Sequence, residues 1–205
     1  MRFVPSTLTN ERVVVFIDYH NTLHGLRRDG RQIDLVALRD YLAEGRHLVE
    51  AFLYVATHPQ AEQQEADQAM LRALQQHGFL VRSRPGQFLP NGRLHGNSNL
   101  ELALDVQEFA TRTRPDIVVL VTGDGDLTPL VQRLRFQGIR VEVAAAPGSA
   151  SQSLRAAAND FIDLARLGQE VDHLPLPVAA PAGVEPLPPP ELAPEEDDPA
   201  WDAAA

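Results

Sequence analysis

Cysteine is absent from the 205 residues, which excludes a disulfide framework and any thiolate metal site and leaves no sign of an oxidising compartment. Lysine is absent as well. All 18 basic residues are arginines, so no mechanism that turns on a catalytic lysine is open to this chain. No apolar run approaches the roughly 18 residues of a transmembrane helix, and Met1 to Arg12 lacks the apolar core of a signal peptide. A cytoplasmic address with no membrane partner is therefore the expectation. No internal repeat is visible, and nothing in the sequence fixes an oligomeric state.

What is present begins with an uneven distribution of charge. The formal net charge is -10, but seven acids and no arginine lie from Pro175 onward, so the remainder is close to neutral and retains room for a local basic patch. The same stretch holds nine of the 16 prolines, a composition that buries too little apolar surface to offset the ordering of the chain. Three segments are expected: an N-terminal extension over 1–11, one folded domain over 12–168, and a disordered, Pro-rich acidic tail over 169–205. The tail is either a solvating extension or, through its polyproline stretches and Trp201, a docking segment for a protein partner.

Ahead of the tail, apolar runs alternate with amphipathic stretches. Arg12 to Ile17, His47 to Ala56, Phe79 to Arg84, Asp116 to Thr122 and Ile139 to Ala145 read as strands. The β-branched runs among them are of the kind buried on both faces of a parallel sheet. Between them, Ile33 to Glu44, Pro59 to His77, Asn99 to Thr111, Leu127 to Gln137 and Ser151 to Asn159 read as helices, and Pro85 to Gly96 reads as a Pro/Gly-rich loop. This alternation predicts an α/β fold with a doubly wound, mostly parallel sheet and helices on both faces. Ligands of such sheets bind beyond the carboxyl ends of the strands, at a topological switch point.

Acids occupy those ends. The first strand runs into Asp18-Tyr19-His20-Asn21-Thr22, and the strand ending at Thr122 runs into Gly123-Asp124-Gly125-Asp126. Carboxylates brought together repel and destabilise the fold unless a cation holds them, and an oxygen-only donor set suits Mg²⁺ or Mn²⁺, one ion or two. Each acid also has a plainer role open to it. Asp126 precedes Leu127-Thr128-Pro129 and reads as an N-cap, Asp124 lies between glycines suited to a sharp turn, and Asn21 suits a cap. Asp18 has no such simple role. On the helix from Asn99, Glu101, Asp105, Glu108 and Arg112 fall in one narrow wedge. That wedge is either the solvated edge of the helix or an approach to the acidic pocket, with Asp105 the member nearest the site.

The segments FIDYHN, GNSNLELALD, VTGDGDLTPLVQRLRFQGIRVEV and SLRAAANDFIDL together resemble the NYN domain family, in particular its LabA-like group, over about Arg12 to Leu167. The resemblance implies a PIN-like, Rossmann-like three-layer fold and a metal-dependent ribonuclease that hydrolyses RNA phosphodiesters. Asp18, Asp124, Asp126 and Asp105 would be its acidic site, with Asn21, Asn99, Glu101 and Thr122 as supporting polar groups. One departure matters. Where many relatives carry Lys-Gly-x-Asp, this chain has His95-Gly96-Asn97-Ser98-Asn99, so one negative charge is replaced by an amide. Phosphate contacts are expected among Arg27, Arg28, Arg31, Arg82, Arg84, Arg93 and His95, and base stacking on Tyr19 or Phe88.

Two other readings compete with it. A catalytically weak RNA-binding or protein-interaction module would retain the fold, favoured by Asn99 and the acidic tail. A haloacid-dehalogenase-like phosphatase would need a second Asp two residues after Asp18, where this chain has His20.

Overall fold

Val13 to Ile17 are at most 1% exposed, so the β-branched run becomes the centre of the fold, strand β1 (Arg12–Asp18). The computed structural model describes residues 10–28, 34–59, 61–88, 94–95 and 98–167. The N-terminal extension up to residue 9 and the Pro-rich tail lie outside them. After β1 come helices α1 (Tyr19–Arg28) and α2 (Leu35–Leu42), strand β2 (His47–Thr57), helix α3 (Ala61–Gln76) and strand β3 (Leu80–Pro85). Two short strands follow, β4 (Gln87–Phe88) and β5 (Leu94–His95), then helix α4 (Asn99–Thr113) and strand β6 (Ile117–Val121). A 3-10 turn (Gly125–Leu127) leads into helix α5 (Thr128–Phe136), strand β7 (Arg140–Ala145), helix α6 (Gln152–Ala157), strand β8 (Asp160–Asp163) and helix α7 (Leu164–Leu167).

The main sheet has six strands in the order β3-β2-β1-β6-β7-β8, and each neighbouring pair is parallel. β4 and β5 form a separate antiparallel pair. Alternation along the strands divides the core in two. Val13, Val15 and Ile17 face Leu26, Leu35, Leu38, Leu42 and Leu74 on α1, α2 and α3. Val14 and Phe16 face Leu102, Val106, Leu130, Val131, Leu134 and Leu154 on α4, α5 and α6. The three-layer, doubly wound architecture expected from the sequence is thus present. Phe16 stacks on Phe52 with ring centroids 4.7 Å apart, and Phe109 of α4 meets both edge-on, which fixes α4 against β1 and β2.

Local signals set the element ends. Asp34 caps α2 by accepting from Val36 N and Ala37 N, and Gly78, with φ +85°, turns the chain out of α3. One buried acid is unrelated to the carboxyl edge: Glu142 on β7 is 1% exposed and accepts both guanidinium nitrogens of Arg46 at 2.9 and 3.1 Å, with Arg140 Nε at 3.1 Å. Several elements go beyond the sequence reading: α1, the β4–β5 pair inside a segment expected to be loop, β8 and the short α7. Among the described residues no helix is long and apolar enough to cross a membrane.

Candidate acidic site at the switch point

β1 and β6 are neighbours at the middle of the sheet, and strand order runs away from them in opposite directions. The crevice beyond their carboxyl ends is the position where doubly wound sheets hold ligands. Asp18, the last residue of β1, is 7% exposed. Alternation with Val14 and Phe16 directs it to the sheet face covered by α4 and α5. Contrary to the sequence reading, it also has a structural role. Its Oδ1 accepts from Asn21 N at 3.2 Å, capping α1, which starts without a break from the strand.

The first turn of α1 is bolted to the exit of β6. Asn21 Oδ1 accepts from Gly123 N at 2.7 Å, and buried Thr22 donates to Val121 O at 3.1 Å. The glycines of the GDGD segment serve close approach. A side chain at Gly123 would collide with the backbone of Ser149, and a Cβ at Gly125 would stand 2.7 Å from Ser151 Oγ. Ser151 N donates to Gly123 O at 2.9 Å, so the loop after β7 closes directly onto this segment.

Asp124 is engaged at both oxygens. Oδ1 accepts from Asp126 N at 2.9 Å and Oδ2 from Asn99 Nδ2 at 2.7 Å, while its own N–H donates to Thr122 Oγ1 at 3.2 Å. Asp124, not Asp126, is therefore the capping residue here: it caps the 3-10 turn, and α5 starts at Thr128 without a side-chain cap. The 3-10 turn displaces Asp126 from the position expected of it, and Asp126 is exposed.

The acidic wedge of α4 resolves differently from either expectation. Asp105 Oδ2 accepts from Tyr54 Oη at 3.0 Å and Arg82 Nε at 3.1 Å. Glu101 pairs with Arg84, and Glu108 with Arg112 on its own helix. The wedge is an ion-paired seam between α4 and edge strand β3. Tyr54, 1% exposed, stands in register with Asp18 on the adjacent strand. Burial, then the Asp105 carboxylate, pushes its phenol well above the usual tyrosine range.

The other expected contacts are scattered. Tyr19 packs against the core and donates to Met70 Sδ, so its ring serves packing. Arg27 and Arg28 end α1 and His95 ends β5, but their side chains lie outside the described residues, as do Arg31 and Arg93 altogether. Phe88 is 45% exposed. The sequence reading passed over Tyr54, whose place in a long apolar strand disguised a polar role.

Among the described residues no three His, Asp or Glu side chains converge closely enough to hold a metal ion by themselves. In kind, the donors at the crevice fit a hard divalent ion: Asp18, Asp124 and Asp126 offer only oxygen. Among the described residues neither Asp124 nor Asp126 has an arginine or histidine partner. Asn99 presents its amide nitrogen to Asp124; turned over, it would present its carbonyl.

A parallel sheet with acids at the ends of its two central strands and a helix amide aimed at one of them defines a doubly wound α/β domain with an acidic crevice at its switch point. The NYN domain model matches residues 12–165, and the chain belongs to the NYN domain family, in its LabA-like group. It is 27% identical over 170 residues to the Low amplitude and bright protein LabA of Synechococcus elongatus, covering 80% of this chain and 87% of that protein. The crystal structure of a protein of unknown function from Vibrio parahaemolyticus superposes with a TM-score of 0.62 at 24% identity, over 76% of this chain and 93% of that one. That likeness shows the shared fold.

Proposed function

We propose that the protein is a metal-dependent ribonuclease that hydrolyses RNA phosphodiester bonds at the β1–β6 crevice. The observation that carries the reading is the position of Asp18 and Asp124 at the carboxyl ends of the two adjacent central strands, their loops tied together by Asn21 and Thr22. Asp18, Asp124 and Asp126 would hold one or two Mg²⁺ or Mn²⁺ ions. Bound there, the metal would supply charge stabilisation at the scissile phosphate and a nucleophilic water. The chain's own residues contribute position: the Asn21 and Thr122 hydrogen bonds fix where the two acidic loops stand, and the Ser149–Ser151 loop closes one side. Asp105 enters this reading through Arg82, which it orients at the edge of the same face, leaving the remaining guanidinium nitrogens for phosphate.

The test is cleavage of labelled single-stranded and structured RNA by the full chain, with Mn²⁺, Mg²⁺ or EDTA. Wild type is expected to cut only with metal, and Asp124→Asn to lose at least about 100-fold in rate, the scale of removing one electrostatic stabiliser. Cleavage that persists in EDTA, or in Asp124→Asn at the wild-type rate, refutes the assignment. A second reading has one observation in its favour. The Asn99 amide occupies the Asp124 oxygen that a cation would use, as expected of a catalytically weak module that binds RNA or a protein partner. Metal-independent RNA binding without cleavage identifies that case.

A further inference from the structure

Beyond the acidic loops, the carboxyl edge of the sheet carries a second cluster of chemistry. His58 follows the last residue of β2, and its ring is 34% exposed. Asp67 of α3 accepts from His58 N at 2.6 Å and lies 3.0 and 3.2 Å from Nδ1 through its two oxygens. A carboxylate only accepts, so Nδ1 carries the hydrogen, and Nε2 is the ring nitrogen left for another partner. The backbone bond alone would lock the β2–α3 connection. The side-chain bond adds something else, a fixed tautomer and a fixed ring direction.

Beside this ring stands Phe88, with centroids 6.1 Å apart and planes tilted by 49°. Thr57 pairs with Pro85 and accepts from Gly86 N at 2.8 Å, which brings the chain leaving β3 back over the end of β2. Pairing of Phe88 with Leu94 then holds it in the short β4–β5 ribbon. The Phe88 ring, 45% exposed beside this imidazole, offers a flat apolar face on which a planar group can stack.

We propose that Phe88, His58 and Asp67 form a ribonucleotide subsite, in which Phe88 stacks on an unpaired base and His58 Nε2 accepts a hydrogen bond from the ribose 2′-hydroxyl. The proposal rests on the reading of the crevice as RNA-directed and adds its selectivity, single strands over duplex and RNA over DNA. Strand order places the parts along one edge of the sheet. Asp18 ends β1, and His58, Asp124 and Phe88 come one to three residues after β2, β6 and β3, so all four belong to the carboxyl ends of neighbouring strands spaced about 4.8 Å apart. His20, two residues after Asp18, bonds through Nε2 to Ala56 O at 2.7 Å, tying the acidic end of that edge to the end of β2. A single strand crossing this edge meets the acids at one end and the subsite at the other.

Fluorescence anisotropy tests this with the full chain in EDTA, which separates binding from metal-dependent cleavage. The probes are a labelled single-stranded RNA, the same sequence as DNA, as 2′-O-methyl RNA and as duplex RNA. Wild type is expected to bind the single-stranded RNA best, and the two probes lacking a 2′-hydroxyl about three- to tenfold more weakly, the loss of one hydrogen bond. Phe88→Ala is expected to weaken single-stranded RNA about tenfold or more, with Phe88→Trp close to wild type. His58→Ala is expected to bring RNA down to the affinity of DNA. Circular dichroism establishes that each variant is folded, and the 2′-modified probes need no variant at all. If wild type binds or cleaves RNA but does not distinguish the 2′-modified probes, or folded Phe88→Ala and His58→Ala bind as wild type does, the subsite is refuted and the nuclease reading stands. If wild type neither binds nor cleaves any RNA, both are refuted.

Discussion

Asn99→Asp sets a second carboxylate beside Asp124, and its cost follows from one contact. The Asn99 amide donates to Asp124 Oδ2 at 2.7 Å. Replacing the amide by a carboxylate removes a hydrogen bond to a charged group, about 1.5–3 kcal/mol, and sets two negative charges in contact. Unscreened by rotation or solvent, that repulsion would approach about 4 kcal/mol at 4 Å in an effective dielectric of 20. Both residues are partly exposed, so the side chains swing apart, and the start of α4 itself favours an anion by about 0.3–1 kcal/mol. A net destabilisation of about 1–3 kcal/mol in EDTA is expected, which for a domain of this size lowers Tm by about 3–10 °C. A divalent ion reverses the sign, because it binds the native pair and not the unfolded chain; at 100 times Kd it returns about 2.7 kcal/mol. Scanning calorimetry of wild type and Asn99→Asp, in EDTA and across a Mn²⁺ titration, reads both effects. The variant is expected to start below wild type and to gain more with Mn²⁺. A Tm that ignores Mn²⁺ in the variant would refute a cation site at Asp124, and equal Tm values in EDTA would refute the Asn99 contact.

Two further predictions concern stability. Arg46→Met leaves Glu142, 1% exposed, with Arg140 alone. The expected loss is about 2–3 kcal/mol, below the ~3–5 typical of a buried charge stripped of its partner; urea denaturation measures it, and Glu142→Gln in the same background is expected to recover part. Tyr54 concerns alkaline pH. Its folded pKa is raised by burial and by Asp105, so the native state keeps a proton that the unfolded chain releases above about pH 10. This contribution is full below that pH and is lost as pH rises further. Tyr54→Phe is expected to flatten the fall of the urea midpoint above pH 10, and an unchanged slope would refute the assignment.

The central strands were legible because their chemistry is local. Val13 to Ile17 and Ile117 to Val121 are uninterrupted apolar runs rich in β-branched residues, and burial on both faces admits no other reading. Alternation of such runs with amphipathic stretches carried the sheet and its layers. Helix α1 was not legible. Its sequence, Tyr-His-Asn-Thr-Leu-His-Gly-Leu-Arg-Arg, is poor in strong helix formers, and it forms against tertiary anchors: the Asp18 cap, the Asn21 bond to Gly123 and the Thr22 bond to Val121. β8 is four residues long and gains its place by pairing with β7.

Among the acids, position was legible and partnership was not. Strand ends placed Asp18 and Asp124 at the crevice, but the groups that meet their oxygens are backbone N–H donors and one amide, which composition and periodicity do not reveal. The same blindness hid the seam of α4, where Glu101 and Asp105 face arginines brought by β3 from about 20 residues away in sequence. These partners bear on function. Capping fixes the direction of each carboxylate before any ligand arrives, and such pre-orientation lowers the cost of binding. Asp18 and Asp124 can therefore cap and hold a cation at once, provided an oxygen is open. At Asp124 one oxygen serves the 3-10 turn and the other faces Asn99, so in the proposed site cation affinity would turn on which end of the Asn99 amide points inward. Residue 99, remote in sequence from either acidic loop, thereby governs the charge balance of the crevice.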